Sequence, residues 1–159
     1  KRCIDLAVWF LENLEKRNQS PCASAQWGWL GWRDRGAKKL HPEQIRLRAV
    51  LNALCVCYHC RLPSMSLRIE YRRLIFQAMS HNGWYILDIE PWTQNLNRID
   101  AISALIKDEM RLYLARMHEV PLYIAPNEAL LENIFVMTVC ILNRIPVFVV
   151  GKPGNSKSL

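Results

Sequence analysis

The residues best suited to chemistry are Gly151-Lys152-Pro153-Gly154-Asn155-Ser156-Lys157-Ser158-Leu159. They follow directly on an apolar run, Ile145-Pro146-Val147-Phe148-Val149-Val150. A short apolar segment feeding a Gly/Pro turn and a Lys-Ser pair reads as a strand running into a phosphate-binding loop. Gly151 and Gly154 allow a sharp turn and bring backbone N–H groups close to phosphate oxygens. Pro153 has no N–H, so it shapes the loop without donating. Lys157 supplies a point charge for the β- and γ-phosphates, and the Ser158 hydroxyl is placed to hold Mg²⁺.

One position departs from the usual pattern of Gly, four residues, Gly, Lys, Ser/Thr: Ser156 stands where the second glycine is expected. If that position needs a positive φ, serine costs on the order of 1–2 kcal/mol there. The competing reading is an ordinary turn after a buried segment, with Lys157 simply solvated.

Two other constellations deserve the same weighing. Cys55, Cys57, His59 and Cys60 crowd together and suggest zinc. On one continuous helix, however, Cys57 and Cys60 share one side and Cys55 and His59 another, so four ligands do not converge. Buried thiols beside a hydrogen-bonded histidine are the expectation. His41, His81 and His118 each stand alone near an expected helix end, which suits a solvated or capping role. Trp27, Trp29 and Trp32 lie among glycines beside Arg33-Asp34-Arg35, without a surrounding nucleic-acid signature; indoles filling gaps between helices are the simpler reading.

The elements that must position the loop are mostly helical. The run 145–150 lacks polar alternation, as expected of a strand buried on both faces of a parallel sheet. Before it, residues 127–142 form an apolar helix capped by Asn127. Residues 98–118 carry a stripe of Ile99, Ile102, Leu105, Ile106, Met110, Tyr113, Leu114 and Met117. A helix over about 65–80 is expected to turn Leu67, Tyr71, Leu74, Ile75 and Ala78 inward and Arg68, Arg72 and Arg73 outward. Another starts at His41-Pro42-Glu43 with proline in its first turn, is apolar nearly all round, and runs to about Leu62-Pro63. The first spans 3–17 with Ile4, Ala7, Val8, Leu11 and Leu14 on one face. Residues 81–97 fit a short strand and a packed loop equally.

Residues 127–142 and 145–159, with Ala53-Leu54-Cys55-Val56-Cys57-Tyr58-His59 further back, resemble the mysterin family of giant RING-finger AAA+ E3 ubiquitin ligases. The family's loop also reads Gly-Lys-Pro-Gly-x-Ser-Lys-Ser, which makes Ser156 a family trait. The resemblance implies a piece of a longer protein. It would comprise an N-terminal helix and Trp-rich loop (1–42), a helical linker or lid (43–120), and the start of a truncated α/β AAA+ unit (121–159). It also implies ATP and Mg²⁺ as ligands at Gly151, Gly154, Asn155, Ser156, Lys157 and Ser158. Neighbouring AAA+ units, ubiquitin and a ubiquitin-conjugating enzyme would be partners of the whole protein. Its setting would be cytoplasmic, with lipid-droplet association. No catalytic residue is expected within the chain itself. The competing class is a non-catalytic helical scaffold that binds no nucleotide.

Composition sets the bounds. A chain of 159 residues, 51% hydrophobic and 22% charged, is long and apolar enough for a globular core. The net charge of +7 is spread along the chain, so nucleic acid is not an expected partner. Six cysteines, three of them within one helix-like run, suit a reducing compartment better than a disulfide framework. The chain opens without a signal peptide or an initiator Met, as expected of an internal piece, and its longest apolar stretch, 134–142, is too short to span a bilayer.

Overall fold

The computed structural model describes residues 1–19, 40–84, 97–115, 127–148 and 150. These residues form α1 (Arg2–Gln19), α2 (Pro42–Cys57), a 3-10 turn (His59–Arg61), α3 (Met65–His81), α4 (Arg98–Ala115) and α5 (Glu128–Leu142). The mainly helical expectation holds, and among the described residues there is no strand. The Trp-rich loop, the connector 119–126 and most of 81–97 lie outside the described residues.

Helix starts follow local chemistry. Pro42 occupies the first turn of α2. His41 caps it: Glu43 N–H reaches its Nδ1 at 3.5 Å, while the His41 N–H donates to Gln44 Oε1 at 2.7 Å. Asn127 Oδ1 takes the Leu130 N–H at 2.8 Å and opens α5. Asn18 and Leu40 exchange two hydrogen bonds, of 2.8 and 3.1 Å, and so fix the end of α1 beside the entry to α2.

The helices pack around two members. α1 lies along α2, and α4 is touched by α2, α3 and α5. Leu47, Ala53 and Cys55 on α2 and Ala101, Ile102 and Met110 on α4 are essentially inaccessible to solvent. Phe135 on α5 joins three helices, meeting Phe10 of α1 at 6.0 Å between ring centroids and Tyr113 of α4 edge-on at 5.1 Å.

Two buried faces differ from those expected. On α1 the core side chains are Leu6, Phe10 and Leu14, one turn apart, while Ile4 and Val8 face solvent. The sequence offers two overlapping apolar stripes, and the one carrying the larger aromatic ring wins because it removes more surface from water. On α3 the inward row is Arg68, Arg72, Ile75 and Met79, whereas Leu67 and Leu74 are about half exposed. Arginines take that face because acidic and imidazole partners wait on the other side, and their stems cover apolar surface.

Candidate functional site

The approach to the loop is built by the end of α5. Its chain reverses through Asn143 and Arg144, with the Ile145 N–H donating to Cys140 O at 2.8 Å and the Arg144 N–H to Ile141 O at 3.1 Å. This is the paired-bond helix stop usually made by glycine, and Arg144 adopts φ 53° to make it. α3 ends the same way with Gly83 at φ 77°, the Trp84 N–H donating to Met79 O at 2.9 Å.

Beyond Arg144, the described residues 145–148 and 150 form neither helix nor strand. Phe148 is 87% exposed and Val150 92%, so the buried strand expected over 145–150 is not formed here. A strand needs ladder partners, and none exists among the described residues to pair it. Gly151, Pro153, Gly154, Asn155, Ser156, Lys157 and Ser158 lie outside the described residues. Their donor chemistry, backbone N–H groups with the Lys157 ammonium and the Ser158 hydroxyl, is of the kind that suits a phosphate and Mg²⁺.

The cysteine–histidine group is arranged differently from the expectation of a single straight helix. α2 stops at Cys57, and Tyr58 breaks the helical path with φ −132° and ψ −56°. The following 3-10 turn carries His59 and Cys60 back towards Cys55. A ring nitrogen of His59 and the Sγ atoms of Cys55 and Cys60 lie within 4.8 Å of one another, and the two sulfurs are 3.4 Å apart. Cys57 points elsewhere, towards Cys3. The contact with Cys60, together with burial, pushes the Cys55 thiol well above its ordinary value; burial raises Cys57 to about 11.

A buried polar network backs this group. Arg72, only 7% exposed, brings Nη1 to 3.3 Å from His59 Nε2. Burial, and then the Arg72 charge, lower the His59 imidazole to about 4, so it is neutral at physiological pH. Arg68 Nη1 sits 2.6 Å from Glu132 Oε1 and so ties α3 to α5. Burial nevertheless raises the Glu132 carboxyl above its usual range, outweighing the Arg68 charge. His59 Nδ1 and Arg72 Nε are buried without hydrogen-bond partners. His59, Arg72, Glu128 and Glu132 line a cavity of about 10 Å³, room for one water. Sequence reading missed the network because Arg68 and Arg72 sit in a basic run that looks like a solvated face; their recurrence every fourth residue, matched by Glu128 and Glu132 on α5, is the one hint otherwise. A separate surface cleft of about 280 Å³, lined by Glu43, Arg46, Asn82, Gly83 and Trp84, gathers no set of groups suited to catalysis.

Residues 123–159, which take in α5 and the whole Gly/Lys/Ser loop, match the family model described as the RNF213 AAA domain. More specifically, the chain is 31% identical over its whole length to human E3 ubiquitin-protein ligase RNF213. It is 34% identical over 71% of its length to the mouse protein of the same name. A 36-residue stretch is 69% identical to zebrafish E3 ubiquitin-protein ligase rnf213-beta. The chain is thus a relative of one segment of the RNF213-type ligases, and the resemblance read from the sequence holds. It spans about 3% of the human protein and 1–2% of the others. No solved structure matches it. Among the described residues no helix is long and apolar enough to cross a membrane.

Proposed function

We propose that this chain leads into an ATP-binding AAA+ unit of an RNF213-type E3 ubiquitin-protein ligase and supplies that unit's phosphate-binding loop. The observation that carries the reading is the family match over 123–159, because it joins α5, the apolar run and the loop in one AAA segment. The exposed Phe148 and Val150 support it: large apolar side chains at that density are costly in water and suit a strand covered on both faces. In the longer protein, residues 145–150 form that strand. Lys157 binds the β- and γ-phosphates and Ser158 the Mg²⁺. The backbone N–H groups of Gly151, Gly154, Asn155 and Ser156 cradle the phosphates, and Pro153 fixes the turn.

Residues 1–42, 43–120 and 121–159 then serve as N-terminal segment, helical linker and AAA+ entry. ATP hydrolysis needs an acidic residue on another strand and belongs to the whole unit, as does ubiquitin transfer with its conjugating enzyme. The same kinship supports a cytoplasmic protein that associates with lipid droplets. The test uses protein extended through the rest of the AAA unit. Lys157→Ala should abolish binding of a fluorescent ATP analogue while leaving the helical circular dichroism intact. Equal affinity in wild type and variant would exclude the loop as the nucleotide site and favour a helical scaffold.

A further inference from the structure

We propose that Cys55, His59 and Cys60 bind one Zn²⁺ ion, held by two thiolates and one imidazole nitrogen with water in the fourth position. Geometry carries the inference. Zn–S bonds of about 2.3 Å and Zn–N bonds of about 2.0–2.1 Å set tetrahedral ligand atoms roughly 3.5–3.8 Å apart. The two sulfurs stand at 3.4 Å, and all three ligand atoms lie within 4.8 Å of one another, so small side-chain rotations complete the set. Cys55 lies in the last turn of α2, and the 3-10 turn after Tyr58 brings His59 back beside it. The break at Tyr58 then adds Cys60 as the third. Soft thiolates with an imidazole select zinc over magnesium or calcium.

A second observation points to a ligand at the same place. His59 is buried, and its Nδ1 has no hydrogen-bond partner. Coordination through Nδ1 satisfies that atom and moves the ring proton from Nδ1 to Nε2, where Arg72 now approaches at 3.3 Å. The guanidinium then turns away, and Glu128 and Glu132 border the same small cavity to receive it. One hydrogen bond exchanged is a small cost against a metal–thiolate set. Binding replaces two S–H bonds by two Zn–S bonds and releases two protons, leaving the two thiolates and the ion with no net charge, as burial requires. Cys60, half-buried, gives the ion its way in.

The test uses the full 159-residue chain, freshly reduced and metal-free. Zinc sulfate titrated against a chromophoric chelator should register one ion per chain, and Co²⁺ in its place should give thiolate-to-metal charge-transfer absorption. Alkylation footprinting of the wild type should show zinc slowing modification of Cys60 at least about tenfold while Cys57 reacts as before. Cys60→Ser should weaken zinc by roughly 100-fold, and Cys57→Ser should leave it unchanged; circular dichroism verifies that both remain helical. Unprotected Cys60, equal protection of Cys57, or a Cys55–Cys60 disulfide forming at the same rate with and without zinc would each overturn the site. The footprint needs no variant, so it decides the matter even if Cys60→Ser fails to fold.

Discussion

Arg17 Nη2 lies 3.0 and 2.9 Å from the two carboxylate oxygens of Glu109, which is 92 positions away and almost wholly buried. The bridge ties the last turn of α1 to α4. A buried carboxylate stripped of its cation keeps its desolvation cost. Arg17→Ala should therefore destabilise the chain by about 3 kcal/mol in urea unfolding, and by about 1 kcal/mol or less in a Glu109→Gln background. Equal losses in both backgrounds would mean that Arg17 acts through packing alone.

Phe10 and Ile4 separate the two possible faces of α1. Phe10 is 1% exposed and stacks on Phe135, whereas Ile4 is 69% exposed. Phe10→Ala should cost about 3–5 kcal/mol, and Ile4→Ala should stay within about 0.5 kcal/mol of wild type. Thermal unfolding of the two variants side by side checks it; a comparable drop in both would move the buried face back to the Ile4 stripe.

These contrasts show what the sequence could and could not disclose. The helices were legible where caps and periodicity agreed: Asn127 at α5, His41-Pro42 at α2, and the long stripe of Ile102, Leu105, Ile106 and Met110 on α4. The faces of α1 and α3 were not, because which side is buried depends on neighbours distant in sequence. Arg72 reads as solvated until His59 is known to face it, and Leu67 reads as core until α3 is known to be turned. The convergence of Cys55, His59 and Cys60 was hidden for a related reason. A helix wheel assumes that the helix continues, and the break at Tyr58 has no Gly or Pro to announce it. Residues 151–159 lie outside the described residues, and their reading as a phosphate-binding loop rests on type and spacing alone.

Acid should unfold the metal-free chain in a particular window. The folded imidazole of His59 sits at about 4, against 6.5 for a free histidine. The unfolded chain therefore takes up a proton that the folded chain refuses. Stability is whole above about pH 6.5 and falls as pH drops towards 4, by at most about 1.4 kcal/mol per pH unit. Arg72, Arg68 and Lys107 reinforce the refusal, and Glu128 opposes it. Urea midpoints measured in EDTA from pH 7.5 to about 4 should show this slope in wild type and a shallower one in His59→Gln. Parallel slopes would assign the acid sensitivity to other groups.

Arg144 holds a left-handed conformation that Gly83 adopts without strain at the end of α3. Relieving it should outweigh the extra freedom glycine gives the unfolded chain. Arg144→Gly is expected to stabilise by roughly 0.5–1 kcal/mol. Gly83→Ala should destabilise by a similar amount although its Cβ would meet nothing within 4 Å, because the strain there is in the backbone. Thermal melts moving in the same direction for both would show that the two helix ends are not equivalent.

Phe148 offers the sharpest separation between this chain and the longer protein. In the chain it is 87% exposed, so Phe148→Asp should leave the unfolding midpoint within about 0.5 kcal/mol of wild type. On the proposed reading, the same side chain joins a strand covered on both faces once the protein is extended through the AAA unit. Burying a carboxylate there forfeits the apolar contact and leaves an unpaired charge, a loss of more than about 4 kcal/mol. The extended variant should therefore lose its nucleotide-induced rise in melting temperature, and its AAA region should become sensitive to protease while α1 to α4 stay protected. An extended Phe148→Asp protein with wild-type stability and nucleotide response would show that residues 145–150 are not that strand.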